Sequence, residues 1–195
     1  MFALRRPPRE VLAKLLAAVR GRGFNHPLVG TALLRETAPG FTVDEYGADL
    51  GQGEPTYEAA AAALESFGMY PPAWTNIYAE ESPMAVGAQF LAVTRQLGFH
   101  AVLPCRVIEV EDVSSASERI RSFAFGTVRG HVEAGVERFR VRWDRTTDSV
   151  RLDVRAVSRP VGVTRFGGPI ARRVQLRFHR QAGAAFLAAM GSPPR

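Results

Sequence analysis

Two short segments of strict alternation constrain this chain more than anything else in it. Residues 137–143 and 150–157 flank a turn at 144–149, and apolar side chains recur in each at every second position. Successive side chains of a strand point to opposite faces. Phe139, Val141 and Trp143 therefore share a face, and so do Val150, Leu152 and Val154. An antiparallel register that sets Trp143 against Val150 puts Val141 opposite Leu152 and Phe139 opposite Val154. All six then lie on one buried face, and a slip of one residue would expose them all. The same register sends Arg138, Arg140 and Arg142 to the outer face, against Arg155, Asp153 and Arg151. Two Arg–Arg oppositions call for acidic neighbours, and Glu109 and Glu111 alternate suitably on a nearby segment.

The other elements are read around this hairpin. Val11, Leu12, Leu15, Leu16 and Val19 recur at helical spacing, so 8–21 is predicted as an amphipathic helix, opened by Pro7-Pro8 and ended by Gly21 and Gly23. A loop with a short extended piece follows, then a strand over 41–50 closed by Gly51-Gln52-Gly53. Pro55 and Thr56 open an alanine-rich helix that runs to Phe67 and stops at Gly68 and Pro71-Pro72. Further strands are expected at 74–79, 84–94, 101–113 and 120–128. The last element is a helix over 169–190, with Ile170, Val174, Phe178, Ala182, Phe186 and Ala189 as its core stripe and Arg173, Arg177 and Arg180 beside it. The order implies an α+β fold: a single curved antiparallel sheet wrapped around a long C-terminal helix, with an additional N-terminal helix. One domain covers 1–195. It divides into the first helix (1–23), a mostly sheet region with one inserted helix (24–168) and the last helix (169–191).

Composition narrows the function classes. The net charge of +6 hides three regions: residues 1–22 carry +5, residues 23–153 carry −7 and residues 154–195 carry +8. An acidic middle between basic ends excludes a uniformly basic nucleic-acid coat. The basic helices are expected to dock on the sheet and offset part of that charge. The single cysteine, Cys105, excludes an internal disulfide and a cysteine-based zinc site. No run approaches the roughly 20 apolar residues that span a bilayer. Lys14 interrupts the early apolar stretch, which favours a packed helix over a signal peptide, and the expected compartment is the cytoplasm. Gly51-Gln52-Gly53 continues as Glu54-Pro55-Thr56, without the further Gly or the Lys of a phosphate loop.

The densest polar cluster is Gly126-Thr127-Val128-Arg129-Gly130-His131, followed by Glu133, Gly135 and Glu137. His131 titrates near neutrality and with Glu133 or Glu137 could form an acid/base pair. A His and two carboxylates also suit a metal. The close glycines favour a backbone reason instead, with His131 tying down a turn between two strands.

The run FAFGTVRGHVEAGVERF at 123–139, AVSRP at 156–160, PIARRVQLRF at 169–178, LPCRV at 103–107 and PLVGTAL at 27–33 occur in an order that resembles the uncharacterised UPF-0548 family. Phe125 stands where that family usually shows Tyr, Val136 where it shows a first Glu, and Val157 where it shows Phe. The family has no assigned reaction. More remotely the element order looks like the START and birch-pollen-allergen group, the helix-grip fold. That resemblance implies a cavity between sheet and C-terminal helix.

The expected function is thus a module that binds a small apolar or amphipathic ligand in such a cavity. His131, Arg106, Arg159, Glu137, Thr127 and Phe125 are the candidate lining residues. Arg106 and Arg159 sit beside apolar strand residues and would need a carboxylate or a ligand anion if buried. No catalytic signature, cofactor or metal is expected, and oligomeric state is left open. An enzyme built on His131 with Glu137 or Glu133 is one alternative. The other is an interaction protein with basic terminal helices, against which Phe178 and Phe186 lie on the core stripe rather than among the arginines, where a nucleic acid would stack.

Overall fold

The computed structural model describes residues 1–28, 39–80, 84–96, 98–162 and 168–191, without side chains at 168–172, 175 and 179. Its elements are β1 (Phe2–Ala3), α1 (Arg9–Val19), β2 (Thr42–Gln52), α2 (Glu54–Glu65), β3 (Thr75–Tyr78), β4 (Gln89–Gln96), β5 (Phe99–Ser114), β6 (Glu118–Thr127), β7 (Glu133–Asp144), β8 (Ser149–Pro160) and α3 (Gly168–Met190). They build one curved antiparallel sheet in the order β2-β8-β7-β6-β5-β4-β3, with β1 added on β5. The β7–β8 register sets Trp143 on Val150, Val141 on Leu152 and Phe139 on Val154, as the alternation requires. The expected extended piece in 24–40 appears only as a bridge from Phe24 to Val128, since 29–38 lie outside the described residues.

Alternation along each strand sorts the helices onto two faces. Phe90, Cys105, Val107, Phe123, Phe125 and Phe139 face inward and pack with α2 and α3 through Tyr57, Leu64 and Phe186. Leu91 and Val93 point the other way and pack against Leu12, Leu16 and Val19 of α1. The first helix thus covers the outer face, opposite the last. Both Pro8, which starts α1, and Leu16, 2% exposed at its centre, fit the predicted amphipathic pattern. Gly68 closes the inner layer: a Cβ there would lie 2.6 Å from Ala189 Cβ and 2.9 Å from Ala63 O, so only glycine lets the end of α2 touch α3.

The core of the inner face is an aromatic stack. The Phe139 ring lies 5.7 Å from Phe123 and 6.4 Å from Phe125, each nearly parallel to it, and Phe67 meets Phe123 edge-on at 5.5 Å. Such pairs add about 0.5–1.5 kcal/mol beyond the area they bury.

The outer face is polar and mutually compensating. Arg140 Nη2 donates to Glu111 Oε2 at 2.9 Å, and the Ser122 hydroxyl donates to the same oxygen at 2.9 Å. Arg155 pairs with Glu45, which relieves the Arg138–Arg155 opposition. Charge compensation between terminal helices and acidic middle is smaller than expected. Among the described residues it is carried for α1 by Arg20–Glu80, whereas α2 is clamped by Arg119 on Glu54 and Glu58 and by Arg121 on Glu65. Arg177 instead lies over the Trp74 ring at 5.0 Å.

Phe139→Ala is expected to cost about 3–5 kcal/mol in urea denaturation. Arg142→Ala, which removes a half-exposed pair with Glu118, is expected to cost less than about 1 kcal/mol. Equal small losses would contradict the central place given to the stack.

Candidate ligand site on the inner face of the sheet

The interior is filled at one end and retains accessible surface at the other. Phe90, Phe123, Phe139, Val141, Val150 and Leu152 have no exposure at all. Two residues farther along the same face, Glu137 pairs with Ala156, and Ala156 with Asp44 on β2. This three-residue row and the adjacent Tyr46 are only partly buried, although they belong to the inner face. Above them pass Tyr70 and Phe178, whose rings are 5.5 Å apart, with Trp74 edge-on to Phe178 at 6.1 Å. Trp74 Nε1 donates to Gln181 Oε1 at 2.7 Å and so fixes the segment after α2 to α3.

Glu137 is the chemically distinctive group of this end. Loss of hydration pushes its carboxyl up to about 8, with the Glu133 charge adding to the rise and a hydrogen bond to Tyr46 opposing it. The Tyr46 phenol is raised by burial and by the Glu137 charge, and Tyr70 and the Cys105 thiol are raised by the same two causes. A neutral carboxyl is a hydrogen-bond donor, and an ionised one is an acceptor for a cation or hydroxyl. Among the described residues no cluster of His, Cys, Asp and Glu suits a metal ion.

The structure separates the six residues singled out in the sequence. Phe125 and Glu137 are neighbours across the β6–β7 ladder, on the inner face. Thr127 is spent on the ladder itself: its hydroxyl accepts from Gly135 N at 2.9 Å and donates to Asn25 Oδ1 at 2.5 Å. Gly135 is required there, because a Cβ would come within 2.2 Å of Val157 O. His131 occupies the β6–β7 turn, and its Nδ1 accepts from Glu133 N at 2.9 Å. Burial lowers its imidazole to about 4, and the charges acting on it are Met1 and His26 rather than Glu137. Of the two carboxylates that could pair with His131, Glu137 lies in a different environment, while Glu133 is adjacent and meets His131 Nδ1 through its backbone.

Arg106 and Arg159 both lie on the outer face. Arg106 bonds the carbonyls of Arg20 and Arg22, and Arg159 lies over the Phe41 ring at 4.7 Å. Neither reaches the interior, since Cys105 and Val107 on one strand, and Ala156 on the other, take the inward positions. The sequence reading does not single out Tyr46, Asp44 and Ala156, which share the inner face. Tyr46, Ala48 and Leu50 alternate along β2, which was the available signal.

A curved antiparallel sheet of this order, with a long helix across its inner face, defines a helix-grip protein. The same fold is found in the ginseng major latex-like protein 151 from Panax ginseng, at a TM-score of 0.52 with 12% identity, over 78% of this chain and 99% of that one. The model of the family described as "Domain of unknown function (DUF1990)" matches residues 25–185, and the chain belongs to that family. Relatives include a UPF0548 protein of Dictyostelium discoideum, 29% identical over 160 residues, covering 78% of this chain and 74% of that protein. A UPF0548 protein of Deinococcus radiodurans is 26% identical over 202 residues, covering 98% of this chain and all of its own length. No helix among the described residues is long and apolar enough to cross a membrane.

The buried titratable groups give stability two opposed pH limbs. Glu137 sits at about 8 when folded against an ordinary 4.5, so the folded chain holds the proton across that interval and stability falls as pH rises through it. His26 and His131 sit at about 4 when folded against 6.5, so the unfolded chain takes up the proton first and stability falls as pH drops from 6.5 towards 4. Thermal unfolding at pH 5, 7 and 8.5 should show Glu137→Gln gaining on the wild type towards alkaline pH. Parallel curves would contradict the enclosure of Glu137.

Proposed function

We propose that this protein is a carrier or sensor of a small amphipathic ligand, held between sheet and α3 at the Glu137 end of the interior. The observation that supports this reading is the contrast along one face. The row Glu137–Ala156–Asp44 keeps accessible surface where the next rows are sealed by aromatic rings. Small-molecule sites are mostly apolar with a few convergent polar groups. Here the partly buried Tyr70 and Phe178 would supply the apolar wall, with Phe125 and Phe139 as the sealed floor behind it. Glu137 and Tyr46 would orient the polar end of the guest.

Ala156 gives the test, because it is the small residue at the centre of the open row. If a ligand cavity opens over this row, Ala156→Phe should be tolerated within about 1 kcal/mol, whereas overpacking a filled core costs about 1–3 kcal/mol. Native mass spectrometry of freshly purified wild type should show a bound species of a few hundred daltons, on the order of a drug-sized guest, and Ala156→Phe should lose it. A wild type without adduct, together with a destabilised Ala156→Phe, would sink the reading.

A further inference from the structure

On the outer face a groove of about 530 Å³ opens between the C-terminal end of α1 and the start of β4. It lies across the sheet from the Glu137 row and is independent of it. Its size falls within the range of small-molecule sites, ~300–1,000 Å³. Arg20, Arg22 and Arg106 line it, and among the described residues Glu80 is its single acid, so those side chains carry a surplus of two positive charges.

Arg106 is held ready for a guest. Its Nη2 donates to Arg20 O at 3.0 Å and Arg22 O at 2.7 Å, and the Phe24 ring lies beneath the guanidinium at 5.1 Å. Those contacts fix the plane of the group and leave Nε and Nη1 for a guest. A pre-oriented guanidinium loses less freedom on binding and matches the forked geometry of phosphate oxygens. Arg22 is anchored on Arg129 O at 3.3 Å. Gly21, Gly23 and Gly87 form bare walls, with no heavy atom within 4 Å of where a side chain would begin. Ala88 adds a small apolar flank, with the nearly buried Leu16 behind it.

We propose that this groove is a binding site for a small phosphorylated molecule, with the phosphate among Arg20, Arg22 and Arg106 and its apolar or cyclic remainder along Ala88 and the glycine walls. A dianionic phosphate matches the surplus charge, and a carboxylate would match half of it. Glu80 opposes the guest and occupies Arg20 in its absence.

The test is an amide NMR titration of the full chain in 0.15 M salt with phenyl phosphate and with inorganic phosphate. Saturable shifts are expected at Gly21, Gly23 and Gly87, with phenyl phosphate binding more tightly. Arg20→Gln should weaken binding at least fivefold, and Glu80→Gln should tighten it about threefold. A merely structural role for the pair would not give opposite signs. Arg106→Lys, which keeps the charge but not the fork, should also weaken binding without unfolding α1. Shifts that fail to saturate, that spread equally to Arg173 and Arg177 of α3, or that are unchanged in Arg20→Gln would overturn the proposal. So would a single-stranded oligonucleotide that moves the groove and α3 together where phenyl phosphate moves neither.

Discussion

The parallel packing of Phe123, Phe125 and Phe139 on adjacent strands is the interaction on which the rest of this structure depends. These rings set the height of the inner face; the segment after α2 rests on them through Phe67 and Tyr70, and α3 packs on Tyr70 through Phe178. Because rotation by one residue would turn the whole row outward, the stack also fixes register across β6, β7 and β8. The polar outer face follows from that choice. Glu111, Ser122 and Arg140 form a row because Val110, Phe123 and Phe139 form one on the other side.

The same alternation carries a carboxyl into the interior. Glu137 shares its face with Phe139 and cannot leave it while the stack holds. Its cost is limited by staying neutral and by bonding Tyr46. A fold that needed only a packed core would be better served by an aliphatic residue there.

Legibility in the sequence followed the range of the forces involved. The β7–β8 register and the α1 and α3 stripes are local periodicities, and the chain states them directly. Glu137 and Phe125 could be placed inside by counting from Phe139 and its partners. The outward placement of Arg106 follows from strand parity too, since it lies between inward Cys105 and Val107, although a lone charge beside apolar residues resembles a pocket anchor. What no local signal could supply was which face α1 covers, the two-residue strand β1, or the groove that Arg106 closes by bonding carbonyls more than eighty residues away. The glycines at 126–135 were legible as backbone necessity, and Gly135 meets it by admitting β8.

The interior can be interrogated without knowing any ligand. A carbon-detected NMR titration of the glutamate side-chain carboxyls reports Glu137 directly. An inward carboxyl at the open end of the aromatic stack should titrate at about 8, well above the ordinary 4.5. A Glu137 signal that titrates near the ordinary 4.5 would mean that the carboxyl sits in water and that the account of this interior is wrong.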